Sequence, residues 1–473
     1  MNANNFETRI QYLKYQVLKE VAREAWEENL VENVLDIPKK ILPGKVPTMR
    51  CCVYKERAIL QERVKLAMGG NRSNPNIIEV IDIACDECPM GGYEVTNSCR
   101  GCLVQGCKSA CVKDAIEFDS NHQAHIDKNK CINCGNCAKA CQYSAIVNRK
   151  RPCENACVVK AITPNEDQAA HIDPKKCINC GACISQCPFG AIMDKSFILD
   201  AIDYILKSDN NREFKVYALL APAIADSFRE VKLSQIVTGL KKLGFYDVIE
   251  VAKGADMVAY SEAAELKEKG FLLSSCCPAF VDYVQKYFPE QAEYLSSNLS
   301  PMATIARHLK EEDEDCRLVF IGPCTAKKAE VMKNSVKNYV DVALTFEELL
   351  ALFDSRDIEL SELEESDLNQ ASYFGRVFAR SGGLTEAMAQ GLKEHGSDME
   401  FVPETCSGIE ACRVAMLKKS KNMLQSNFVE GMACNGGCIG GAGTIRKLGI
   451  KKENVDNYAR DSKIETISDS VNR

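Results

Sequence analysis

The chain has 473 residues, a length that predicts about three domains rather than one hydrophobic core. Its 46% hydrophobic and 26% charged residues are typical of a globular protein, and its net charge of −7 argues against a nucleic-acid-binding face, which would be basic. No apolar run approaches the roughly 18 residues that cross a bilayer, and the N-terminus lacks the apolar segment of a secretory signal. The sequence therefore predicts a cytoplasmic protein that binds neither nucleic acid nor membrane.

Residues 1–80 form a predicted N-terminal helical segment. Apolar residues recur at helical spacing across residues 5–35, and a second helix is predicted over residues 54–68. Cys51 and Cys52 lie just before this second helix. Because adjacent side chains rarely reach one metal together, a packing role is favoured over ligation for this pair.

Cysteine usage is the most informative part of the composition. The chain contains 26 cysteines and only 5 histidines. In a large cytosolic chain such a density indicates metal binding rather than disulfides. Sixteen of the cysteines fall between Cys85 and Cys187, so scattered buried cysteines do not explain the pattern. The sequence predicts a ferredoxin-like domain over residues 81–205.

Two near-identical stretches lie about 46 residues apart in this domain, AHIDKNKCINCGNCAKACQYSAI and AHIDPKKCINCGACISQCPFGAI. Each carries the spacing C-x2-C-x2-C-x3-C, in which three cysteines hold one 4Fe-4S cluster and the fourth reaches its neighbour. A zinc site needs only four thiolates and tolerates separated pairs, so the crowded triplet favours a cluster. The repeat cysteines are Cys131, Cys134, Cys137 and Cys141, and Cys177, Cys180, Cys183 and Cys187.

Each repeat requires a first half upstream. The group that begins at Cys99 supplies one, and the pair Cys153 and Cys157 supplies part of the other, completed most simply by Cys85 and Cys88. If the fourth cysteine of each half binds the cluster of the other half, the sixteen cysteines of this window fill four clusters. Their ligand sets are Cys99, Cys102, Cys107 and Cys141; Cys131, Cys134, Cys137 and Cys111; Cys85, Cys88, Cys153 and Cys187; and Cys177, Cys180, Cys183 and Cys157.

Residues 206–450 change to alternating strands and helices, which predicts an α/β domain with mostly parallel sheets. Predicted helices include residues 261–269, one that begins at Ser300-Pro301, and one that opens with a capping box at Thr345. The cysteine-containing loops of this domain follow the ends of predicted strands, which is where open α/β sheets bind their ligands. The fold class is therefore α+β and α/β multidomain. Residues 451–473 are predicted to be a polar, loosely held C-terminal tail.

Three of these loops carry the remaining chemistry: SSCCPAF, GPCTAKKAE and EGMACNGGCIGGAG. Together they resemble the three signatures of the FeFe (iron-only) hydrogenase catalytic domain, and with the ferredoxin-like domain the chain looks most like the monomeric group B of that family. The resemblance implies an H-cluster, a 4Fe-4S cubane bridged to a diiron unit with CO, CN and azadithiolate. By position, Cys277, Cys324 and Cys434 would hold the cubane, and Cys438 would hold it and bridge to the diiron unit.

Cys276 matches the family's proton-donating thiol, although a lone cysteine is otherwise often a small core residue. Glu262, Glu265 and Lys269 share one helix face, which on spacing alone is equally an ordinary solvated surface. Alignment to the family implies a proton path from Cys276 through Glu262, Ser296 and Glu265 to Lys269. A lysine stands at the exit where the family usually has an arginine.

The resemblance also assigns the walls of the diiron pocket. Lys327 matches the lysine that binds a cyanide ligand, against the alternative of a surface lysine beside Lys328. Met432 and Phe378 match apolar pocket residues, and Pro222 lies where the first strand meets the diiron unit. The chain departs from the family pattern at Gly322, usually methionine, at Met302, often glutamine, and at Ala279-Phe280, usually Gly-Trp.

These features predict a hydrogenase that interconverts H2 with protons and electrons, and that relays electrons to a ferredoxin or flavodoxin-like carrier after maturation proteins supply the diiron unit. The net charge of −7 is compatible with a basic or neutral carrier. Two alternatives keep the fold: a hydrogen sensor, and a relative of the eukaryotic iron–sulfur assembly proteins without the diiron unit. A plain polyferredoxin is a third, but it leaves the three loops unexplained. Cys51, Cys52, Cys316, Cys406 and Cys412 have no assigned role.

Overall fold

The computed structural model describes residues 6–88, 91–446 and 448–472. Its N-terminal segment is helical. The bounds of its helices are α1 (Arg9–Trp26), α2 (Leu30–Asn33), α3 (Ile37–Ile41) and α4 (Val53–Ala67).

The prediction of one helix over residues 5–35 was wrong. Thr8 caps α1, and its side chain accepts a hydrogen bond from the Gln11 backbone N–H at 3.1 Å. The helix stops at Trp26 because Glu28 adopts a left-handed backbone conformation, with φ of 59°. A glutamate in this conformation gives no glycine signal in the sequence. The second helix, α4, begins and ends within one residue of its predicted bounds.

Two ferredoxin-like units follow, and one is inserted into the other. The outer unit, residues 91–149, has its own small core around Ile116 and Ile146, and the inner unit, formed by residues 78–88 and 150–194, has a separate core. Antiparallel pairing of β1 with β8 closes the inner unit, and pairing of β2 with β5 closes the outer one. The elements are β1 (Ile78–Val80), β2 (Gly92–Val95), α5 (Gly106–Ser109), β3 (Ile116–Phe118), β4 (Ala124–Ile126), α6 (Asn136–Ala140), β5 (Ile146–Arg149), α7 (Pro152–Ala156), β6 (Ile162–Pro164), β7 (Ala170–Ile172), α8 (Ala182–Gln186) and β8 (Ile192–Asp194).

The rest of the chain is an α/β domain. Its elements are α9 (Ile198–Lys207), β9 (Val216–Leu220), α10 (Ile224–Ser227), α11 (Leu233–Leu243), β10 (Asp247–Glu250), α12 (Val251–Lys269), β11 (Leu272–Leu273), α13 (Pro278–Tyr287), α14 (Pro301–Glu312), β12 (Arg317–Gly322), α15 (Thr325–Val331), β13 (Val342–Thr345), α16 (Phe346–Ser355), α17 (Tyr373–Val377), α18 (Gly383–Glu394), β14 (Pro403–Ser407), α19 (Ile409–Ser420), β15 (Phe428–Met432), α20 (Lys452–Arg460) and α21 (Ile467–Val471).

Two parallel sheets organise this domain, which confirms the predicted fold class. The first has the order β10-β9-β12-β13, and the second has the order β11-β15-β14. The capping box at Thr345 opens α16, and Ser300 caps α14 with a bond to the Ala303 backbone N–H. Helix α12 begins at Val251, ten residues before the predicted start. The first half was missed because it is largely buried and lacks the separate apolar and polar faces from which a helix is predicted.

The C-terminal residues are not a loosely held tail. Helices α20 and α21 pack onto the domain, with Val455 and Ile467 fully buried. The Arg376 guanidinium donates a hydrogen bond to the Tyr458 carbonyl at 3.1 Å. The mostly polar composition of residues 451–473 gave no sign of these two short helices in the sequence. None of the helices in the three described ranges is long and apolar enough to cross a membrane.

A buried ionic cluster joins the three parts of the chain. Lys14 of α1 lies 2.6 Å from Asp194, at the end of the inner unit, and 2.5 Å from Glu347 of α16. Lys328 of α15 lies 2.8 Å from Asp194 and 2.7 Å from Glu348. Paired in this way, the charges avoid the large cost of burial alone. The cluster therefore fixes α15 against the inner ferredoxin unit and the N-terminal helix.

Candidate active site

The site lies where the carboxyl ends of the two parallel sheets meet. Strand β12 ends at Gly322, and Cys324 follows as the residue before α15. Strand β15 ends at Met432, two residues before Cys434. The short strand β11 leads to Cys277, the residue before α13. Parallel strands deliver their loops to one edge, and here three loops from two sheets converge.

These loops enclose one cavity with almost entirely apolar walls. The five thiols of the loops and the amine of Lys327 are the polar side-chain groups on its lining. The lining includes every residue that the resemblance assigned to the cofactor pocket: Pro222, Cys276, Cys277, Cys324, Lys327, Phe378, Met432, Cys434 and Cys438.

The donor set fits an iron–sulfur cluster. Burial, and then the neighbouring thiols of Cys324 and Cys277, raise the pKa of Cys434 well above its usual value. Four thiolates in such a place would be costly without a cationic centre to compensate them. Within residues 6–88, 91–446 and 448–472, no group of cysteine, histidine or acidic side chains is arranged to hold a single metal ion.

A buried carboxyl group lies behind Cys276. Glu262 of α12 is fully buried, and its Oε1 accepts hydrogen bonds from the Ser275 backbone N–H and hydroxyl, both at 3.2 Å. Its Oε2 is buried and makes no hydrogen bond of normal geometry, and the Ser296 hydroxyl lies near enough to the carboxyl group to act to lower its pKa. Burial raises the pKa of Glu262 to about 7, against the effect of these hydroxyl and amide donors. Glu262 is therefore suited to exchange a proton near neutral pH.

The next carboxylate in the row stays ionised. The Oε2 atom of Glu265 accepts from the Ser296 hydroxyl at 2.8 Å and from the Asn298 amide at 2.9 Å, and its Oε1 accepts from Lys269 at 2.6 Å. Partial burial acts to raise the pKa of Glu265, but the donors, led by Lys269, outweigh it and lower the pKa. The Lys269 side chain is 42% exposed and the Glu265 side chain 9%. The structure thus brings the four predicted path residues together in order, from the buried interior to solvent.

Lys327 is buried at the cavity, and its alternative as a surface lysine does not hold. Its Nζ lies 2.6 Å from Glu330 Oε2 and donates to the Cys276 carbonyl at 3.4 Å. Burial acts to lower the pKa of Lys327, but the charge and hydrogen bond of Glu330, together with the neighbouring thiols of Cys324 and Cys276, outweigh it and raise the pKa. The ammonium group is therefore charged and faces the thiol loop, where it can hold an anionic ligand. The neighbouring Lys328 is also fully buried.

The departures from the family pattern have structural counterparts. A side chain at Gly322 would place its Cβ 2.5 Å from the ring of Phe320, which itself lines the cavity. Phe320 therefore fills the space that a larger residue at position 322 would occupy. In the same way, Phe280 packs against Gly431, where a Cβ would lie 2.2 Å from the ring. Met302 lines the cavity and replaces a polar amide with an apolar thioether.

Accessory cysteines of each predicted set lie near one another. In the outer unit, Cys102 and Cys141 both lie close enough to Cys107 to raise its pKa, after the larger effect of burial. Cys131 and Cys111 act in the same way on Cys137. In the inner unit, Cys187 and Cys85 act on Cys153, and Cys177 and Cys157 act on Cys183, as does Cys153 of the other set. Each crossing cysteine therefore lies near at least one other cysteine of its predicted set, and the ligand sets themselves stay a prediction.

The inner unit abuts the cavity. Cys180 lies close enough to Cys434 to contribute to the raised pKa of that thiol. The Thr325 hydroxyl, at the start of α15, donates to the Asn179 carbonyl at 2.8 Å. The cluster site of Cys180 is thus the accessory site next to the cavity.

Sequence reasoning missed several residues of the site: Ser275, Asn298, Phe320 and Glu330. Among these four residues, Ser275 alone had a local sequence signal, since it directly precedes the two adjacent cysteines. Of the unassigned cysteines, Cys52 caps α4 by accepting from the Lys55 backbone N–H at 3.4 Å, and Cys316, Cys406 and Cys412 are buried.

Comparison with known families agrees with this geometry. Residues 214–442 match the model described as the iron only hydrogenase large subunit, C-terminal domain. Residues 124–147 and 170–193 each match the 4Fe-4S binding domain model. Residues 214–442 therefore form a catalytic-type domain of the iron-only hydrogenase family.

The proteins to which this chain is similar have different functions, as their names state. Iron hydrogenase 1 of Clostridium pasteurianum is 27% identical over 53% of this chain and 55% of its own length, so the match spans about half of that relative. The periplasmic [Fe] hydrogenase large subunit of Nitratidesulfovibrio vulgaris is 27% identical over 69% of this chain and 87% of its own length. The cytosolic Fe-S cluster assembly factor NAR1 of Kluyveromyces lactis is 24% identical over 34% of this chain and 37% of its own length.

Proposed function

We propose that the chain is an FeFe hydrogenase that interconverts H2 with protons and electrons. The observation that carries this proposal is a fifth thiol, Cys276, set beside the ligand quartet and backed by the buried Glu262. A site that only stores a cubane needs four thiolates and has no use for a proton relay. When bound, the H-cluster would supply the iron atoms at which H2 is split and formed.

The residues that would hold the cofactor are those on the cavity lining. Cys277, Cys324, Cys434 and Cys438 are the residues that would hold the cubane, and Cys438 would also contact the diiron unit. Lys327 would hold an anionic ligand of that unit through its charged amine. The apolar walls would exclude water and competing ligands from the cofactor.

Proton movement is the task of the chain's own side chains. Cys276 is fully buried, which raises its pKa well above the usual value, so the group remains a neutral thiol. A neutral thiol can donate one proton and regain it from Glu262 without leaving a lasting charge. A protonated Glu262 can donate to the Ser296 hydroxyl, whose own proton already points to Glu265. Lys269 then connects Glu265 with solvent.

Electrons would pass between the cavity and the surface through the four accessory clusters. The site of Cys180 lies next to the cavity, and the outer unit is the proposed far end of this electron path. Soluble one-electron carriers are the proposed partners, and maturation proteins are the proposed source of the diiron unit.

A direct test is hydrogen evolution with a reduced viologen dye, after anaerobic maturation of the chain. The wild-type chain should evolve hydrogen. Cys276→Ala should abolish nearly all of the activity while the chain still binds its clusters. Cys316→Ala, which removes a buried thiol far from the cavity, is the matched control and should remain active. A matured wild-type chain with a verified diiron unit and no activity would refute the proposal.

The similarity to the NAR1 assembly factors favours a second candidate, a non-catalytic iron–sulfur protein that holds a cubane in the same quartet. That role makes no demand on Cys276, Glu262 or Lys327. A chain that binds the cubane but never takes up a diiron unit, even beside active maturation proteins, would support this second function.

A further inference from the structure

The outer ferredoxin-like unit presents apolar side chains around its cluster sites. Ile132 and Val112 rim the pocket enclosed by one quartet, and they are 56% and 72% exposed. Leu103 and Val104 directly follow Cys102 of the other quartet and are also exposed. Exposed apolar patches on a protein surface mark interaction sites, and four exposed apolar side chains flank these two predicted cluster sites.

The exposure of the cysteine side chains also favours the outer unit as the docking surface. Cys134 of the outer unit is exposed, whereas the cysteines of the inner unit are buried or half-buried. Electron transfer needs close approach of two cofactors, so a protein carrier gains most by docking over the most exposed quartet. Cys134 lies on the same pocket as Ile132, Val112 and Lys113.

The local charge of this unit is opposite to that of the whole chain. Residues 99–144 contain six Lys and Arg residues against four Asp and Glu residues, although the chain has a net charge of −7. Within this fully described range, Lys130 pairs with Glu117 and Asp127, and Asp119 pairs with His125. The cations outside these pairs are Arg100, Lys108, Lys113, Lys128 and Lys139, against the single acid Asp114.

We infer that the outer unit is the docking surface for a small acidic electron-carrier protein, which covers the pocket of Cys134. The inference rests on the proposed function, since it names the partner of that electron path. The net charge of the whole chain is compatible with a basic or neutral carrier, whereas the local charge of this unit is complementary to an acidic one. Lys113, Lys139 and Lys108 provide the attraction and orientation, and Ile132 and Val112 provide the desolvated contact.

The test measures binding of a purified acidic two-cluster bacterial ferredoxin to the cluster-loaded chain by calorimetry at low ionic strength. Lys113→Glu with Lys139→Glu should weaken binding at least tenfold. Lys242→Glu with Lys393→Glu, two exposed lysines of the α/β domain, are the matched control and should change binding less than twofold. Binding to the wild type should weaken as salt is added.

Two further sets of variants separate the apolar contribution to binding from the electrostatic one. Ile132→Ser should weaken binding by the same factor at low and at high salt. Lys113→Gln with Lys139→Gln should give an intermediate loss, and this pair replaces the charge reversals if those variants lose their clusters. A basic c-type cytochrome should bind more weakly than the acidic ferredoxin.

Hydrogen evolution assays keep this inference distinct from the proposed function. The docking variants should lose ferredoxin-linked evolution and keep viologen-linked evolution. Absence of viologen-linked activity in the wild type would count against the hydrogenase proposal, while the calorimetric result still decides the docking surface. Unchanged binding in the lysine variants would overturn the inference. So would a loss of binding caused instead by Ser185→Glu and Gln186→Glu, in the cleft beside Cys180.

Discussion

Two glutamates on one helix show how environment sets chemistry at the scale of single residues. Glu262 and Glu265 are three positions apart on α12, and both contact the Ser296 hydroxyl. Burial raises the pKa of Glu262 to about 7, whereas donors led by Lys269 lower the pKa of Glu265. One group can therefore exchange its proton at neutral pH, and the other holds a charge that draws the proton outward.

The first prediction concerns the titration of Glu262. The infrared band of a protonated carboxyl group should disappear as the pH rises through about 7, since Glu262 is protonated below its pKa and ionised above it. Glu262→Gln should remove this band change, and Glu268→Gln, at an exposed position of the same helix, should retain it. A midpoint near the usual glutamate value of about 4.3 would contradict the burial argument.

The second prediction contrasts two adjacent lysines. Lys327→Ala should leave the fold and the accessory clusters intact but prevent retention of the diiron unit, which infrared bands of CO and cyanide would report. Lys328→Ala should instead destabilise the fold by roughly 3–5 kcal/mol, because Asp194 and Glu348 lose a buried counter-charge. Thermal unfolding of the cluster-loaded variants measures the second effect. Equal losses of stability in both variants would contradict the separate roles.

Residue types at fixed spacing were predictable from the sequence, and roles that depend on tertiary contact were not. Spacing alone identified the cysteine groups, because a cluster constrains its ligands locally. Ser275, Asn298 and Glu330 became visible only when folding placed them beside Glu262, Glu265 and Lys327. Phe320 was hidden because its ring compensates for a glycine two residues away.

At the scale of elements, the approach of α12 to α14 positions the relay. Gly254 of α12 faces Pro301, and a Cβ there would lie 2.2 Å from the Pro301 carbonyl oxygen. The glycine lets the two helices pack closely, which keeps Glu262 near the segment that carries Ser296.

The third prediction is that Gly254→Ala lowers stability. Alanine gains about 1 kcal/mol over glycine in a helix, but overpacking against backbone costs roughly 1–3 kcal/mol, so the clash should prevail. Thermal unfolding should show a lower midpoint, with a shifted titration of Glu262. Ser261→Ala, at an exposed position of the same helix, is the control and should stay within about 0.5 kcal/mol. A Gly254→Ala chain as stable as wild type would show that the helices separate freely.

Helix ends with capping residues were predictable, and ends without them were not. Ser300-Pro301 and the box at Thr345 announce α14 and α16 by local hydrogen bonding. Helix α12 begins at Val251 directly after a strand, and its buried alanines and glycine are equally compatible with a strand or a helix. Glu28 ends α1 in a conformation that sequence favours only weakly for glutamate.

At the scale of the molecule, the insertion of the outer unit divides the ligands of one cluster. Cys85 precedes the inserted unit and Cys153 follows it, yet both lie in the core of the inner unit. The fourth prediction is that Cys85→Ser and Cys153→Ser remove the same cluster signal in electron paramagnetic resonance and lower iron content equally. Cys412→Ser, a buried cysteine outside the predicted sets, should change neither. Different signals lost in the first two variants would contradict the predicted ligand set.

The gross architecture was predictable because repeats and strand–helix alternation are encoded along the chain. Assembly between distant parts was not. The buried cluster of Lys14, Asp194, Lys328, Glu347 and Glu348 draws its charges from three regions, and no local pattern predicts these ion pairs, although Glu348 belongs to the capping box at Thr345. The C-terminal helices α20 and α21 escaped notice because their apolar residues are few and their burial depends on the domain beneath them.

The decisive measurement for the proposed H-cluster is the infrared spectrum of the chain matured anaerobically beside diiron-assembling proteins. We expect stretching bands of CO and cyanide in wild type, retained in Cys316→Ala, together with hydrogen evolution that Cys276→Ala abolishes. A chain that carries its 4Fe-4S clusters but shows no such bands, while a known hydrogenase matured in the same cells does, would contradict the presence of an H-cluster.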